Sequence, residues 1–109
     1  MAAEPPELDP ETLARWSREG VRFTLLDVRS PRELERAALP GALHVPMEQV
    51  QVRADEIPAD RPVVVMCHHG GRSAIVARFL TLQGRNDVYN LDGGIDAYSR
   101  LVDSSIPRY

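Results

Sequence analysis

The chain has 109 residues, of which 43% are apolar and 27% are charged, and its formal charge is −3. This composition is typical of a folded globular protein rather than a disordered or membrane-embedded one, and the length fits one domain over residues 1–109, with a core over about residues 8–103. The negative charge balance argues against a nucleic-acid surface, because binding phosphates requires concentrated positive charge.

Apolar periodicity and helix-capping residues divide the chain into alternating helices and strands. Asp9 followed by Pro10 predicts an N-cap and first helical position, and residues 30–33 have the form of a capping box. We expect the first six or so residues and the last few to be loose. In chain order, the sequence predicts a helix over 10–20, a strand over 23–28, a helix over 31–36, a brief strand over 43–45, a helix over 48–56, a strand over 62–66, a helix over 73–84, a strand over 88–91 and a helix over 95–101.

The order of these elements predicts the fold class. Strands that alternate with helices through short connections form a parallel sheet with helices on both faces. Residues 62–66 are a run rich in β-branched side chains, which is typical of a strand covered on both faces. The predicted class is therefore α/β.

A loop with the composition of an anion site directly follows the strand over residues 62–66. In open parallel sheets, catalytic crevices lie beyond the carboxyl ends of the strands. Gly70 and Gly71 let the backbone curl so that amide groups point inward at the start of a helix, which favours an anion. The Cys67 thiolate is a candidate for that anion, which makes Cys67 a candidate nucleophile. The candidate site residues are Cys67, His68, His69, Gly70, Gly71, Arg72 and Ser73.

Cys67 is the single cysteine of the chain, so it cannot form an internal disulfide. A free thiol agrees with a reducing compartment, and the acidic residues 1–11 lack the apolar core of a signal peptide. No apolar run approaches the roughly 18 residues of a membrane span. We therefore expect a cytoplasmic protein without a membrane partner. The structural alternative for Cys67 is a buried small hydrophobic residue.

Four short motifs in a fixed order make the chain resemble the rhodanese-like domain family. Each motif alone is weak, but together they cover about residues 20 to 100. The motifs are LDVR at 26–29, PGA at 40–42, CHHGGRS at 67–73 and NLDGG at 90–94. The chain departs from the family where it has Ala37, Ala38 and Leu39 in place of Gly-His-Ile, and Tyr98 in place of Trp.

The resemblance implies a three-layer α/β/α fold with a mostly parallel, roughly five-stranded sheet, and a catalytic cysteine carried over to Cys67. It implies no cofactor. Phosphatases that share this fold have five residues between Cys and Arg, whereas four residues separate Cys67 from Arg72 here. The tighter loop suits a single outer sulfur atom better than a tetrahedral phosphate.

The activity that the resemblance implies is that of a thiosulfate sulfurtransferase. Cys67 takes sulfane sulfur from thiosulfate or a similar anionic donor, forms a persulfide, and passes the sulfur to a thiol or to cyanide. Arg72 is expected to attract the anionic donor. The alternative is a persulfide carrier or protein-interaction module that relays sulfur to a partner protein.

The remaining polar residues near the loop have two interpretations each. His68 and His69 either flank the pocket or are merely exposed, and no metal is expected because two adjacent histidines rarely converge on one ion. Asp27 and Arg29 are more readily a structural ion pair under the loop than an acid and base. Ser73 is expected to be an N-cap or a loop-closing hydroxyl.

Overall fold

The computed structural model describes residues 4–109 and contains one five-stranded sheet in which every pair of neighbouring strands is parallel. The strand order is β1-β5-β4-β2-β3, and the central strands β2 and β4 are buried along their whole length. The strands are β1 (Glu7–Leu8), β2 (Thr24–Asp27), β3 (Leu43–His44), β4 (Val63–Met66) and β5 (Val88–Leu91).

Helices lie between the strands and after the last one, and the first two begin where capping residues predict. The Asp9 side chain accepts a hydrogen bond from the Thr12 amide, and Ser30 and Glu33 form both hydrogen bonds of the capping box. Gly20 ends the first helix in the left-handed conformation, with φ of 74°. The helices are α1 (Pro10–Glu19), α2 (Pro31–Arg36), α3 (Val50–Arg53), α4 (Gly71–Leu82) and α5 (Gly94–Leu101).

The core has two apolar layers, one on each face of the sheet. Alternate residues of β4 point to opposite faces, so Val65 packs into one layer and Val64 into the other. The first layer includes Leu26, Val63, Val65, Val76, Ala77 and Leu80, contributed partly by α4. The second includes Leu13, Leu25, Val64, Met66, Leu91 and Ile95, contributed partly by α1 and α5. The predicted three-layer α/β/α architecture is therefore confirmed.

Several local predictions were wrong. The predicted helix over 48–56 is a single α-helical turn, α3, between two 3-10 turns, Met47–Gln49 and Ala54–Glu56. No side chain caps its start, and Val50 and Val52 are poor helix formers. Strand β1 was not predicted, because two residues are too few to show periodicity. Helix α4 begins at Gly71 rather than Ser73.

The expectation of loose ends also needs correction. Residues 1–3 lie outside the described residues, but the carbonyl of Pro6 already accepts a hydrogen bond from the Asn90 amide. At the other end, Ile106 packs into the second core layer, and its carbonyl accepts a hydrogen bond of 2.6 Å from the Ser99 hydroxyl. Tyr109 stacks on His68. Residues after α5 are therefore part of the packed structure.

Among residues 4–109, no helix combines the length and the apolar character needed to cross a bilayer.

A buried ion pair stands where β2 ends. Arg29 is fully buried, and its Nη2 and Nε atoms donate to the Asp27 carboxylate at 2.7 and 3.0 Å. Its Nη1 atom donates to the Tyr109 hydroxyl at 2.9 Å. Burial by itself lowers the pKa of Arg29, but the hydrogen bonds to Asp27 and Tyr109 raise it above its ordinary value. Asp27 and Arg29 therefore form the structural pair that the sequence favoured.

We expect Asp27→Asn to lower the free energy of unfolding by about 3–5 kcal/mol, because it leaves the Arg29 charge buried without a counter-ion. Urea unfolding followed by circular dichroism measures this loss. Asp60→Asn is the control, since Asp60 pairs with Arg22 and Arg61 on the exposed surface and its loss should change little. Equal effects of the two substitutions would contradict the structural importance of the buried pair.

Candidate active site

Cys67 lies directly beyond the carboxyl end of β4, beside the end of β2. The register pairs Asp27 with Met66, which brings the two chain segments that leave these strands next to each other. Only 1% of Cys67 is exposed, and the residue packs in the same apolar layer as Val65 and Val76. Its position therefore agrees with the crevice expected at this edge of the sheet.

The Cys67 sulfur accepts hydrogen bonds from the loop that follows it. The Gly70 amide lies 3.1 Å from Sγ, the Ser73 amide 3.3 Å and the Ser73 hydroxyl 3.2 Å. Gly70 adopts φ of 107°, a left-handed conformation that turns the chain back over the sulfur at the start of the 12-residue helix α4. A cysteine that served only as an apolar core residue would not require several donors at the start of a helix directed at its sulfur.

A hydrogen-bond network behind the loop fixes Ser73. The Ser73 hydroxyl is also 2.5 Å from the Asn90 side-chain oxygen. The side-chain nitrogen of Asn90 donates to the Gly70 carbonyl and to the Glu7 carboxylate. Because a hydroxyl carries one proton, Ser73 donates to either Asn90 or the sulfur at a given moment. Ser73 is therefore the loop-closing hydroxyl and not the N-cap, which is Gly70.

Helix α5 holds the same loop from the opposite side. The amides of Ile95 and Asp96 donate to the carbonyl oxygens of Cys67 and His68 at 2.9 and 3.1 Å. Gly94 makes this approach possible, since its φ is 64° and an added Cβ would lie 2.5 Å from the Cys67 carbonyl oxygen. In the sequence, the two glycines at the start of α5 are visible only as the end of the NLDGG motif, and their close contact with the loop was not predicted.

Arg72 is paired with Glu33 of α2. Its two terminal nitrogens donate to the two carboxylate oxygens at 2.7 and 2.8 Å, and 39% of the Arg72 side chain remains exposed. The pairing raises the pKa of Arg72. Hydrogen bonds, from Arg72 first and then from Ser30 and Tyr109, hold the pKa of Glu33 well below its ordinary value. From the sequence, Glu33 is predicted only as part of the capping box, because nothing local links it to Arg72.

The two histidines of the loop lie in different environments. His68 is half-buried and stacks between His69 and Tyr109, with ring centroids 3.8 Å apart in both pairs. Its Nε2 atom is buried and has no hydrogen-bond partner among the described residues. Burial, reinforced by the neighbouring His69, lowers the pKa of His68, so this ring is neutral at neutral pH. His69 is exposed.

Asp96 of α5 lies beside the two histidines, a contact that no sequence pattern predicts. Ligand atoms of His68, His69 and Asp96 lie within 4.8 Å of one another. The Asp96 carboxylate, however, already accepts hydrogen bonds from Arg100 and Arg108 at 3.2 and 2.9 Å. Two guanidinium groups on this carboxylate oppose the binding of a cation, so we assign no metal site to the cluster.

Comparisons with known proteins agree with the sequence motifs. The family model "Rhodanese-like domain" matches residues 9–101. A protein named "Sulfurtransferase" from Allochromatium vinosum is 39% identical over 94 residues, which cover 86% of this chain and 88% of that protein. The "Rhodanese-like/PpiC domain-containing protein 12, chloroplastic" of Arabidopsis thaliana is 46% identical over 89 residues, which cover 78% of this chain and 30% of that protein.

Solved structures show the same fold. The crystal structure of reduced Bacillus anthracis CoADR-RHD is 28% identical and superposes with a TM-score of 0.83. The match covers 94% of this chain and 18% of that one. The chain thus matches most of the Allochromatium vinosum protein, but only a minor part of the Arabidopsis thaliana and Bacillus anthracis proteins.

We expect Gly94→Ala to lower the free energy of unfolding by about 1–3 kcal/mol more than Gly84→Ala does, because only at Gly94 would the new Cβ collide with the backbone of the loop. Gly84 is a matched control, since its φ of 95° imposes the same left-handed strain with nothing within 4 Å. Urea unfolding measures the cost, and the rate of Cys67 alkylation by iodoacetamide reports the damage to the loop. Similar stability and alkylation in the two variants would contradict the contact between α5 and the loop.

We also expect Glu33 to contribute to acid sensitivity. Its folded-state pKa is below its ordinary value of 4.5, so its contribution to stability is present above that value and is lost as the pH falls below it. Between neutral pH and about pH 3.5, the wild-type protein should lose more free energy of unfolding than Glu33→Gln, which does not titrate. Urea unfolding at the two pH values tests this, and parallel losses in both proteins would contradict it.

Proposed function

Because the chain belongs to the rhodanese-like domain family, we propose that it is a sulfurtransferase that carries sulfane sulfur as a persulfide on Cys67. The observation that carries the proposal is the set of groups directed at the Cys67 sulfur: the Gly70 amide, the Ser73 amide and the Ser73 hydroxyl, which donates either to the sulfur or to Asn90. The name of the Allochromatium vinosum relative supports the same reaction class.

The reaction would proceed by double displacement. The Cys67 thiolate attacks the outer sulfur of thiosulfate, the sulfur–sulfur bond of the donor breaks, and sulfite leaves with the bonding electrons. The product is a Cys67 persulfide anion. An acceptor thiolate, or cyanide in an assay, then attacks the outer sulfur, and the Cys67 thiolate leaves and is regenerated. Each step transfers one sulfur atom and conserves charge.

The donors of two loop residues, Gly70 and Ser73, support this scheme. The amides of Gly70 and Ser73 stabilise negative charge on sulfur, and the Ser73 hydroxyl can turn from Asn90 to the sulfur when the thiolate forms. The 1% exposure of Cys67 favours transfer of one small atom over attack on a bulky tetrahedral phosphate. Asp27 and Arg29 bond to each other, and Arg29 also donates to the Tyr109 hydroxyl, so we give the pair a supporting role.

A persulfide carrier that relays sulfur to a partner protein is the second candidate. The observation that favours it is the pairing of both terminal nitrogens of Arg72 with Glu33, which weakens the attraction of a small free anion. Both candidates require a free thiol and therefore fit a reducing compartment such as the cytoplasm.

Thiosulfate treatment should add about 32 Da to the wild-type protein, because one sulfur atom joins Cys67 covalently, and cyanide or dithiothreitol should remove it. Intact-protein mass spectrometry measures the change. The control is Cys67→Ser, which should gain nothing. A gain of the same mass by Cys67→Ser would refute the proposal. Loading of the wild-type protein by a protein persulfide, but not by thiosulfate, would favour the carrier.

A further inference from the structure

The ion pair between Arg72 and Glu33 has an electrostatic consequence for the Cys67 site. A guanidinium beside a reactive sulfur raises the local concentration of anions, whereas a carboxylate bound to that guanidinium cancels most of this field. We propose that Glu33 is a specificity-determining residue, which neutralises Arg72 and thereby sets how strongly the site prefers anionic sulfur donors to neutral ones. This inference rests on the proposed function for the identity of the donors.

The Glu33 carboxylate is held in place by more than Arg72. Its Oε1 atom also accepts from the amide and hydroxyl of Ser30, at 3.1 and 3.2 Å, and its Oε2 atom accepts from the Tyr109 hydroxyl at 2.8 Å. Tyr109 in turn accepts from the buried Arg29. Contacts on both oxygens prevent the carboxylate from rotating away, so Arg72 stays neutralised while a donor approaches.

The net charge beside the Cys67 loop depends on the Arg72–Glu33 pair, so one substitution in the pair changes that charge. Asp27 and Arg29 compensate each other, and His68 is neutral at neutral pH. Arg72 directly precedes Ser73, whose amide lies 3.3 Å from the Cys67 sulfur, so the Arg72–Glu33 pair is attached to the same first turn of α4 that faces the sulfur. A change of one charge at Glu33 should therefore be felt at the sulfur.

The consequence concerns the class of donor. With the pair intact, the site attracts a dianion such as thiosulfate only slightly more strongly than a neutral donor such as an organic trisulfide. An unpaired Arg72 would make this difference in attraction larger. Removing the Glu33 charge should therefore increase selectivity for thiosulfate. Removing the Arg72 charge should leave Glu33 uncompensated and reverse the preference.

The test measures the alkylation rate of Cys67 by anionic iodoacetate and by neutral iodoacetamide, and takes the ratio of the two rates. The ratio cancels differences in thiolate content and access that affect both reagents. The proteins are wild type, Glu33→Gln, Arg72→Gln and the double variant. Glutamine at position 33 retains the capping box with Ser30, so the fold of α2 is preserved.

The ratio should rise about twofold to sixfold in Glu33→Gln at low ionic strength, fall by a similar factor in Arg72→Gln, and return to the wild-type value in the double variant. Added salt should shrink all of these differences. Glu56→Gln is the matched control. Glu56 pairs with Arg53 in a comparable ion pair. Ala54, in the same 3-10 turn as Glu56, accepts a hydrogen bond from Arg85, which lies beyond the far end of α4. Glu56→Gln changes the net charge by the same amount as Glu33→Gln but should leave the ratio of alkylation rates unchanged.

Two results would overturn the inference. An unchanged ratio in Glu33→Gln means that the sulfur does not feel the carboxylate, and a double variant as low as Arg72→Gln means that Arg72 acts by direct contact. Alkylation requires no persulfide, so this outcome is independent of the proposed sulfur transfer. As a second readout, mass spectrometry should show Glu33→Gln loading faster from thiosulfate than wild type, with loading from an organic trisulfide unchanged.

Discussion

The buried ion pair between Asp27 and Arg29 connects the sheet to the side chains above the active loop. Arg29 uses Nε and Nη2 on Asp27 and Nη1 on Tyr109, and Tyr109 donates to Glu33, which holds Arg72. Charges as deeply buried as those of Asp27 and Arg29 are costly unless they are paired and hydrogen-bonded. The buried pair therefore fixes Tyr109, and the hydrogen bonds that follow fix Glu33 and Arg72 in turn. The position of the partly exposed Arg72 at the start of α4 thus depends on a salt bridge at the end of β2.

A second constraint acts on the loop backbone. Amides at the start of α4 point at the Cys67 sulfur, while amides at the start of α5 bind the carbonyl oxygens of Cys67 and His68. The loop is therefore fixed on both of its polar sides, with partial positive charge from two helix starts near one residue. Such preorganisation allows the site to stabilise a charged sulfur without rearranging its donors.

Local sequence patterns were sufficient to predict four of the five strands, most of the helices, the caps at Asp9 and Ser30, and the candidate loop after β4. They failed where geometry depends on residues distant in sequence. Glu33 and Arg72 are 39 positions apart, and Glu33 and Tyr109 are 76 apart, so no spacing rule could reveal those contacts. Asn90 was seen only as part of a motif, although it contacts the loop. The short elements β1 and α3 escaped because two to four residues show no periodicity.

The central claim is that the donors around Cys67 hold a persulfide. A crystal structure of the protein after thiosulfate treatment tests it most directly. The account predicts an additional sulfur atom bonded to Sγ at about 2.05 Å, with Sγ still within hydrogen-bond distance of the Gly70 and Ser73 amides. An unmodified Cys67, or a modified Cys67 rotated away from both amides, would contradict it.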